Sequence, residues 1–390
     1  MKLKKKINVL SIFAAIFTLL GIAFCTFIIS ILAVLSGKIY YVDFIITVAV
    51  VLYVYFLMLL FHFFKTKKRK RVFASIAGIA ILVTLVSPIY HMYIDRIPTV
   101  AAEVDVYKYQ PFSEYKNIPI LDEPATLQLT GNLPRMDGAT ALYPLYAAFV
   151  QATYPEKDYS PNESEVMVNT TPDAYSNLFS GDVDMIFVAA PSESQKKTAK
   201  QQGLDLKMTP IGREAFVFFV NQKNNIAGLT LEQIKAIYSG EVRNWKELGG
   251  VDNPIRAFQR PEDSGSQSAL QKLMGDTPIM QAPSEDIASG MGGIINEVAQ
   301  YKNYKNAIGY TFRYYSTEMV KNDQIKLLEI EGIAPTKEMI RSKKYPITSE
   351  FYIVTAGTDN PNVEKLIEWI LSKQGQALVE DVGYVPVGKY

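Results

Sequence analysis

Hydrophobic and polar positions divide this chain into two kinds of sequence. Residues 7–37, 44–64 and 72–94 are apolar stretches without a single Asp, Glu, Lys or Arg. Each meets the roughly 20 residues that a helix needs to cross a bilayer. The first is too long for a signal peptide and is followed by two more, so it reads as a span. Residues 97–124 ("IPTVAAEVDVYKYQPFSEYKNIPILDEP") alternate weakly between proline breaks and read as an extracytoplasmic stalk. From Ala125 short β-type runs alternate with helical ones. "TLQLTG", "VDMIFVAAP", "EAFVFFVN", "NAIGYTFRYY" and "EFYIVTA" predict strands, and the second and third are apolar enough to be covered on both faces. "ALYPLYAAFVQATY" predicts a helix. "TLEQIKAIYSG" predicts another, capped by Thr230 and stopped by Gly240, and "NPNVEKLIEWILSKQGQALVEDVG" supplies the closing helices. Strands alternating with helices give an α/β class with mostly parallel sheets, whose ligands bind beyond the strand ends.

Charge orients the spans. Residues 1–96 hold twelve of the 40 Lys and Arg but only two of the 39 acids, Asp43 and Asp95. The basic residues cluster at Lys2–Lys6 and Lys65–Arg71. By the positive-inside rule both clusters are cytoplasmic, which makes the protein multi-pass in the cell membrane with everything after Arg96 outside. The remainder then carries 28 bases against 37 acids, a balance that argues against nucleic acid as a partner. The one cysteine, Cys25, and the two histidines, His62 and His91, all lie in the apolar quarter. The outer part therefore has no thiolate or imidazole for nucleophilic catalysis or zinc, and no cofactor is expected.

Three segments could hold an anion. In "DGATALYP", Gly138 allows a tight turn, Thr140 is placed to cap a helix, and the N–H of Ala141 follows. In "NTTPDAY", Thr170 and Thr171 precede Pro172 at a helix start. In "RPEDSGSQ", Ser264, Gly265 and Ser266 open a helix, and Arg260 adds a planar, always charged fork that Glu262 could orient. The first two segments alone are more readily explained as ordinary capping; the third is sharper, but alone it is only moderately specific against a surface Arg beside a capping Ser. Ser194 and Lys197 have the spacing of a Ser-Lys acyl enzyme, but their surroundings are so polar that they read as a solvated helix face.

Taken in order, these segments resemble the phosphate-binding proteins of the high-affinity phosphate ABC transporter, from about Ala125 to Val387. "GATALYP" and "NTTPDAY" are similar to that family's first two phosphate loops, "RPEDSGSQ" to its R-x-x-x-S-G-T segment, and "NAIGYTF" and "YPITSEFYIV" to its later strands. The resemblance implies a two-lobe clamshell of the type II periplasmic kind, with no enzymatic activity and an ABC transporter permease as partner. Lobe I would comprise residues 125–212 and 344–390, and lobe II residues 213–343, with hinges near 211–213 and 342–346. It implies ligand contacts from Thr140, Ala141, Thr170 or Thr171, Arg260, Ser264, Gly265 and Ser266.

Two departures stand out. The family's phosphate-selective Asp aligns with Ala189, so another acid must read the ligand's proton or selectivity has changed. Asp137 and Glu214 are the candidate acids; Arg135 and Arg213, beside them, could instead add positive charge. Three spans in place of a lipid anchor leave a second function open, a sensor or interaction module built on the same fold.

Overall fold

The structure, a computed structural model, describes residues 9–97, 104–282, 303–321 and 323–388. Met1–Pro98 and Thr99–Tyr390 are two compact units. In the first, the three apolar stretches are helices α1 (Val9–Leu35), α2 (Val42–Leu60) and α3 (Lys67–Asp95), each long and apolar enough to cross a membrane. Helix α3 begins inside the basic run because Lys and Arg are good helix formers and Thr66 caps it, its hydroxyl accepting from the Arg69 N–H. Tyr40 stacks on His91 at 4.3 Å and donates to Asp95 at 3.3 Å. The basic cluster at residues 2–6 lies outside the described residues.

In the second unit the described part of the expected stalk, residues 104–124, carries one 3-10 turn at Val106–Tyr109. Ile118 is buried there, and Val106, Tyr109, Phe112 and Leu121 pack on the core. The sheet elements begin with β1 (Met136–Gly138), α4 (Tyr143–Thr153), α5 (Thr171–Ser180), β2 (Met185–Ala189) and α6 (Glu193–Gln201). Next come β3 (Lys207–Asn221), β4 (Gly228–Leu229), α7 (Leu231–Ser239), β5 (Arg256–Ala257) and α8 (Gly265–Met274). The chain ends with β6 (Ala307–Phe312), β7 (Ile325–Leu327), β8 (Glu329–Ile330), α9 (Lys337–Arg341), β9 (Thr348–Thr355), α10 (Asn362–Ile370), α11 (Lys373–Val382) and β10 (Val385–Pro386).

The α/β class is borne out, but pairing is more mixed than the sequence predicts. The main sheet runs β1-β2-β9-β3-β6-β5, with β7 and β10 also on β3. Pairs β1–β2, β5–β6 and β4–β8 are parallel, whereas β3 runs antiparallel to β6, β7, β9 and β10, and β2 antiparallel to β9. The reason is β3 itself. Its 15 residues cross the whole sheet, pairing with β9 in its first half and with β6 and β7 in its second. "TLQLTG" is not a strand: Leu129 is buried and donates its N–H to the Thr153 carbonyl at the end of α4.

The two largest cores among the described residues lie along β3. One gathers Tyr146, Phe149, Phe187, Leu366 and Trp369 beneath α4, α10 and α11; the other gathers Phe216, Phe218, Tyr238, Trp245 and Leu270 beneath α7 and α8. Helix α4 is buried almost throughout. Thr230 and Gln233 form the capping box of α7, and Gly240 ends it at φ 79°, as the sequence predicts. Gly138 is required by contact: a Cβ there would lie 2.6 Å from the Phe187 carbonyl oxygen of β2. The chain passes between the cores at Pro210–Gly212, where the β3–β9 register shifts, and again just before β9, after Lys343 at φ 57°.

Candidate functional site

Three helix starts open into one cavity of about 320 Å³. Thr140 and Ala141 come from a 3-10 turn that runs into α4, Thr171 from the first turn of α5 with its N-cap Thr170, and Gly265 and Ser266 from α8 with its N-cap Ser264. Arg260 enters from the loop before α8. All eight residues expected to bind are thus brought together. The two sides of the cavity are in contact: a Cβ at Gly265 would lie 3.3 Å from Thr171 Oγ1 and 3.4 Å from Ala189 Cβ. The first N–H groups of a helix have no intrahelical partner, and the helix dipole adds partial positive charge there. Three such ends beside a guanidinium have the chemistry that suits an oxyanion.

Local hydrogen bonding refines the roles. Thr170 is a working cap, since its Oγ1 accepts from the Asp173 N–H at 3.4 Å and donates to Asp173 Oδ2 at 2.6 Å. Thr171 is buried, with its hydroxyl facing Gly265. Thr140 does not cap α4 as expected. It is the first residue of the 3-10 turn, and its hydroxyl lies 3.4 Å from the Asn169 carbonyl, to which it donates. At the third seat Ser264 Oγ accepts from the Gln267 N–H at 3.2 Å. The Arg260 N–H donates to Gln267 Oε1 at 3.1 Å and to the Tyr310 hydroxyl at 2.9 Å. Both partners are buried, so the backbone that carries the guanidinium is pinned. Gln267 sits three residues after the cap, the spacing of a capping box, and that signal could have singled it out.

The supporting residues separate. Asp137 is fully buried and does not line the cavity. Its carboxylate accepts from the Asn169 and Asn177 side-chain amides, both at 2.8 Å, and from the Gly138 N–H at 2.7 Å. Burial raises its pKa above the usual carboxylate value, with the three hydrogen bonds opposing. It ties the Gly138 turn to the start of α5 and so positions two of the seats. Asn169 and Asn177 were not legible as partners, because the three residues meet only once β1 and α5 are packed. Arg135 is exposed, 3.7 Å from Asp184 and donating to the Gly181 carbonyl; Glu262 is exposed and outside the cavity wall. Arg213 is likewise outside it, 3.6 Å from Glu350 and donating to the Pro386 and Val387 carbonyls.

Glu214 does line the cavity. It accepts from the Ala215 and Tyr314 N–H groups at 2.9 and 3.0 Å, with Arg313 Nε 3.5 Å from Oε1. Burial nevertheless pushes its carboxyl up to about 7. Full burial outweighs the opposing pull of Arg313, whose guanidinium also lies 3.6 Å from Glu318 and donates to the Gly383 carbonyl at 2.8 Å. Between α6 and the loop before α8, Ser192 Oγ donates to Asp263 Oδ1 at 2.5 Å, and Gln195 Nε2 to the Asp263 carbonyl at 3.3 Å. Asp263 stands at φ 66°, between Arg260 and Ser264. Ser194 and Lys197 are exposed on α6. Among the described residues, no group of three or more His, Cys, Asp or Glu is placed to hold a metal.

A family model described as the PBP superfamily domain matches residues 128–374, more than half of the chain. Among curated proteins, a phosphate-binding protein PstS of Borreliella burgdorferi is 28% identical over 206 residues, 51% of this chain and 72% of that protein. A phosphate-binding protein PstS of Bacillus subtilis is 27% identical over 192 residues, 48% of this chain and 61% of that protein. Among solved structures, a Clostridium perfringens protein crystallised with bound phosphate aligns over 65% of this chain and 98% of its own, at 25% identity and a TM-score of 0.49.

Proposed function

Because this chain belongs to the PBP superfamily domain family, we propose that its outer part is a solute-binding protein that captures inorganic phosphate, or an oxyanion of the same shape, for uptake by an ABC transporter. The observation that carries this reading is the convergence of Arg260 and three helix starts on one cavity. The names of the curated relatives support phosphate as the ligand. The three apolar helices anchor the protein in the cell membrane, with the N-terminus cytoplasmic and the binding part outside. Capture is reversible and non-covalent, without cofactor or catalysis.

The ligand contacts are the N–H groups at Ala141, Gly265 and Ser266, the hydroxyls of Thr171, Ser264 and Ser266, that of Thr140 once it turns from the Asn169 carbonyl to the ligand, and the Arg260 guanidinium. Thr170 serves as a cap. Residues 125–212 with 344–390 form one lobe and residues 213–343 the other, closing about Pro210–Gly212 and the segment before β9. With Ala189 in place of a carboxylate, Glu214 is the acid that meets the ligand's proton. The test is thermal unfolding of the full chain in detergent with phosphate, arsenate and sulfate. Ligand at 100 times its Kd raises stability by about 2.7 kcal/mol, a readable shift. Phosphate and arsenate should shift the midpoint upward; no shift with any oxyanion would overturn the reading.

A further inference from the structure

The cavity is larger and more aromatic than a tetrahedral ion requires. An anion of five heavy atoms takes at most the room of five waters, roughly 150 Å³ at about 30 Å³ each. The cavity offers about 320 Å³, the lower end of the range for organic ligands. The anion seats come from the helix starts, whereas Phe312 at the end of β6 and Tyr315 just after it present partly exposed rings to the cavity, backed by the buried Phe351 of β9 and Tyr384 before β10. That wall is built: Tyr384 stacks on Tyr314 at 4.4 Å, meets Phe351 edge-on at 4.8 Å, and donates its hydroxyl to the Ala141 carbonyl, which joins it to the first seat. Ala189, beside Gly265, adds a methyl group to the cavity wall.

Each acid that lines the cavity already has a partner of its own. Asp173 is exposed and holds Thr170, and Glu350 lies 3.6 Å from Arg213. Glu214 is engaged by two backbone N–H groups and Arg313.

Resting on the oxyanion seat proposed above, we infer that the preferred ligand is a phosphoryl group carrying a small organic substituent, a phosphonate or a phosphate monoester, with the substituent against the aromatic wall. Flat apolar groups gain from contact with aromatic faces and from leaving water, so the substituent adds affinity that the ion alone cannot obtain.

The experiment is competition against radiolabelled inorganic phosphate in equilibrium dialysis of the full chain in detergent. Competitors are unlabelled phosphate, phenylphosphonate, phenyl phosphate and, as a neutral control, benzyl alcohol. Phenylphosphonate or phenyl phosphate should compete at least tenfold more strongly than phosphate, and the stronger of the two tells a carbon–phosphorus ligand from an ester. Ser349 lines the cavity two residues before Phe351 on β9, so Ser349→Phe should reduce that tenfold ratio to about one. Label bound but displaced no better by either organic ligand than by phosphate would overturn this inference and leave the oxyanion reading standing. No bound label together with no direct binding of radiolabelled phenylphosphonate would overturn both.

Discussion

At the residue scale, Arg260 and Glu214 carry the electrostatics of the cavity. A charge-assisted hydrogen bond contributes about 1.5–3 kcal/mol, and Arg260 offers a bidentate fork. Arg260→Ala should therefore weaken oxyanion binding by roughly a hundredfold, read by calorimetric titration. Glu214 holds its proton up to about 7 when folded, against 4.5 as its ordinary value. Between those values the folded state binds more protons than the unfolded one, so stability should fall as pH rises from 4.5 to 7 and level off above. The drop is at most about 3 kcal/mol, and Glu214→Gln should flatten it in melts taken from pH 4.5 to 8. Asp137 tests the other kind of buried acid. Asp137→Asn turns one acceptor oxygen into a donor facing the Asn amides or the Gly138 N–H, and should cost about 1–3 kcal/mol. Arg260 and the three helix starts were legible because their spacing is local, a few residues before or within a helix start. The separation of Asp137 from Glu214 was not, since it depends on which side of a packed strand each acid finds itself.

At the element scale, capping chemistry placed the helices well and the strands less so. Thr170, Thr230 and Ser264 are N-caps, and Gly240 is a C-cap, where local sequence put them. The strand expected at "TLQLTG" failed because a short β-type run is a strand only if a neighbour pairs with it, and here the neighbour is the end of α4. The antiparallel pairing of β3 likewise arises from long-range contacts with β9 and β6, which periodicity does not encode. Contact between α6 and the loop before α8 also appears only in three dimensions. Ser192 caps α6 and at the same time donates to Asp263. Because this bond ties α6 to the loop that carries Arg260, Asp263→Ala should weaken every oxyanion by the same factor, about threefold to tenfold for one hydrogen bond. Titration of phosphate and arsenate with the variant checks it; a change in their order of affinity would place Asp263 in direct ligand contact instead.

For the whole molecule, hydropathy alone separated the three apolar helices from the outer part, because a bilayer span is a composition signal that needs no tertiary context. The division of the outer part into two cores along β3 was visible only as an ordering of motifs, since both halves share one strand. The proposed topology predicts that a reporter active only outside the cytoplasm works when fused after Tyr390 and fails when fused after Thr66, at the start of the basic run. The reverse pattern would invert the protein.

The central claim is that one small oxyanion sits where Arg260 and three helix starts converge. Crystals of the full chain soaked in arsenate, with data collected at the arsenic absorption edge, test it most directly. The account predicts an anomalous peak inside the cavity, with arsenate oxygens within about 3.2 Å of the Arg260 guanidinium and of the N–H groups at Ala141 and Ser266. Arsenic bound elsewhere, with the cavity holding only solvent, would contradict it.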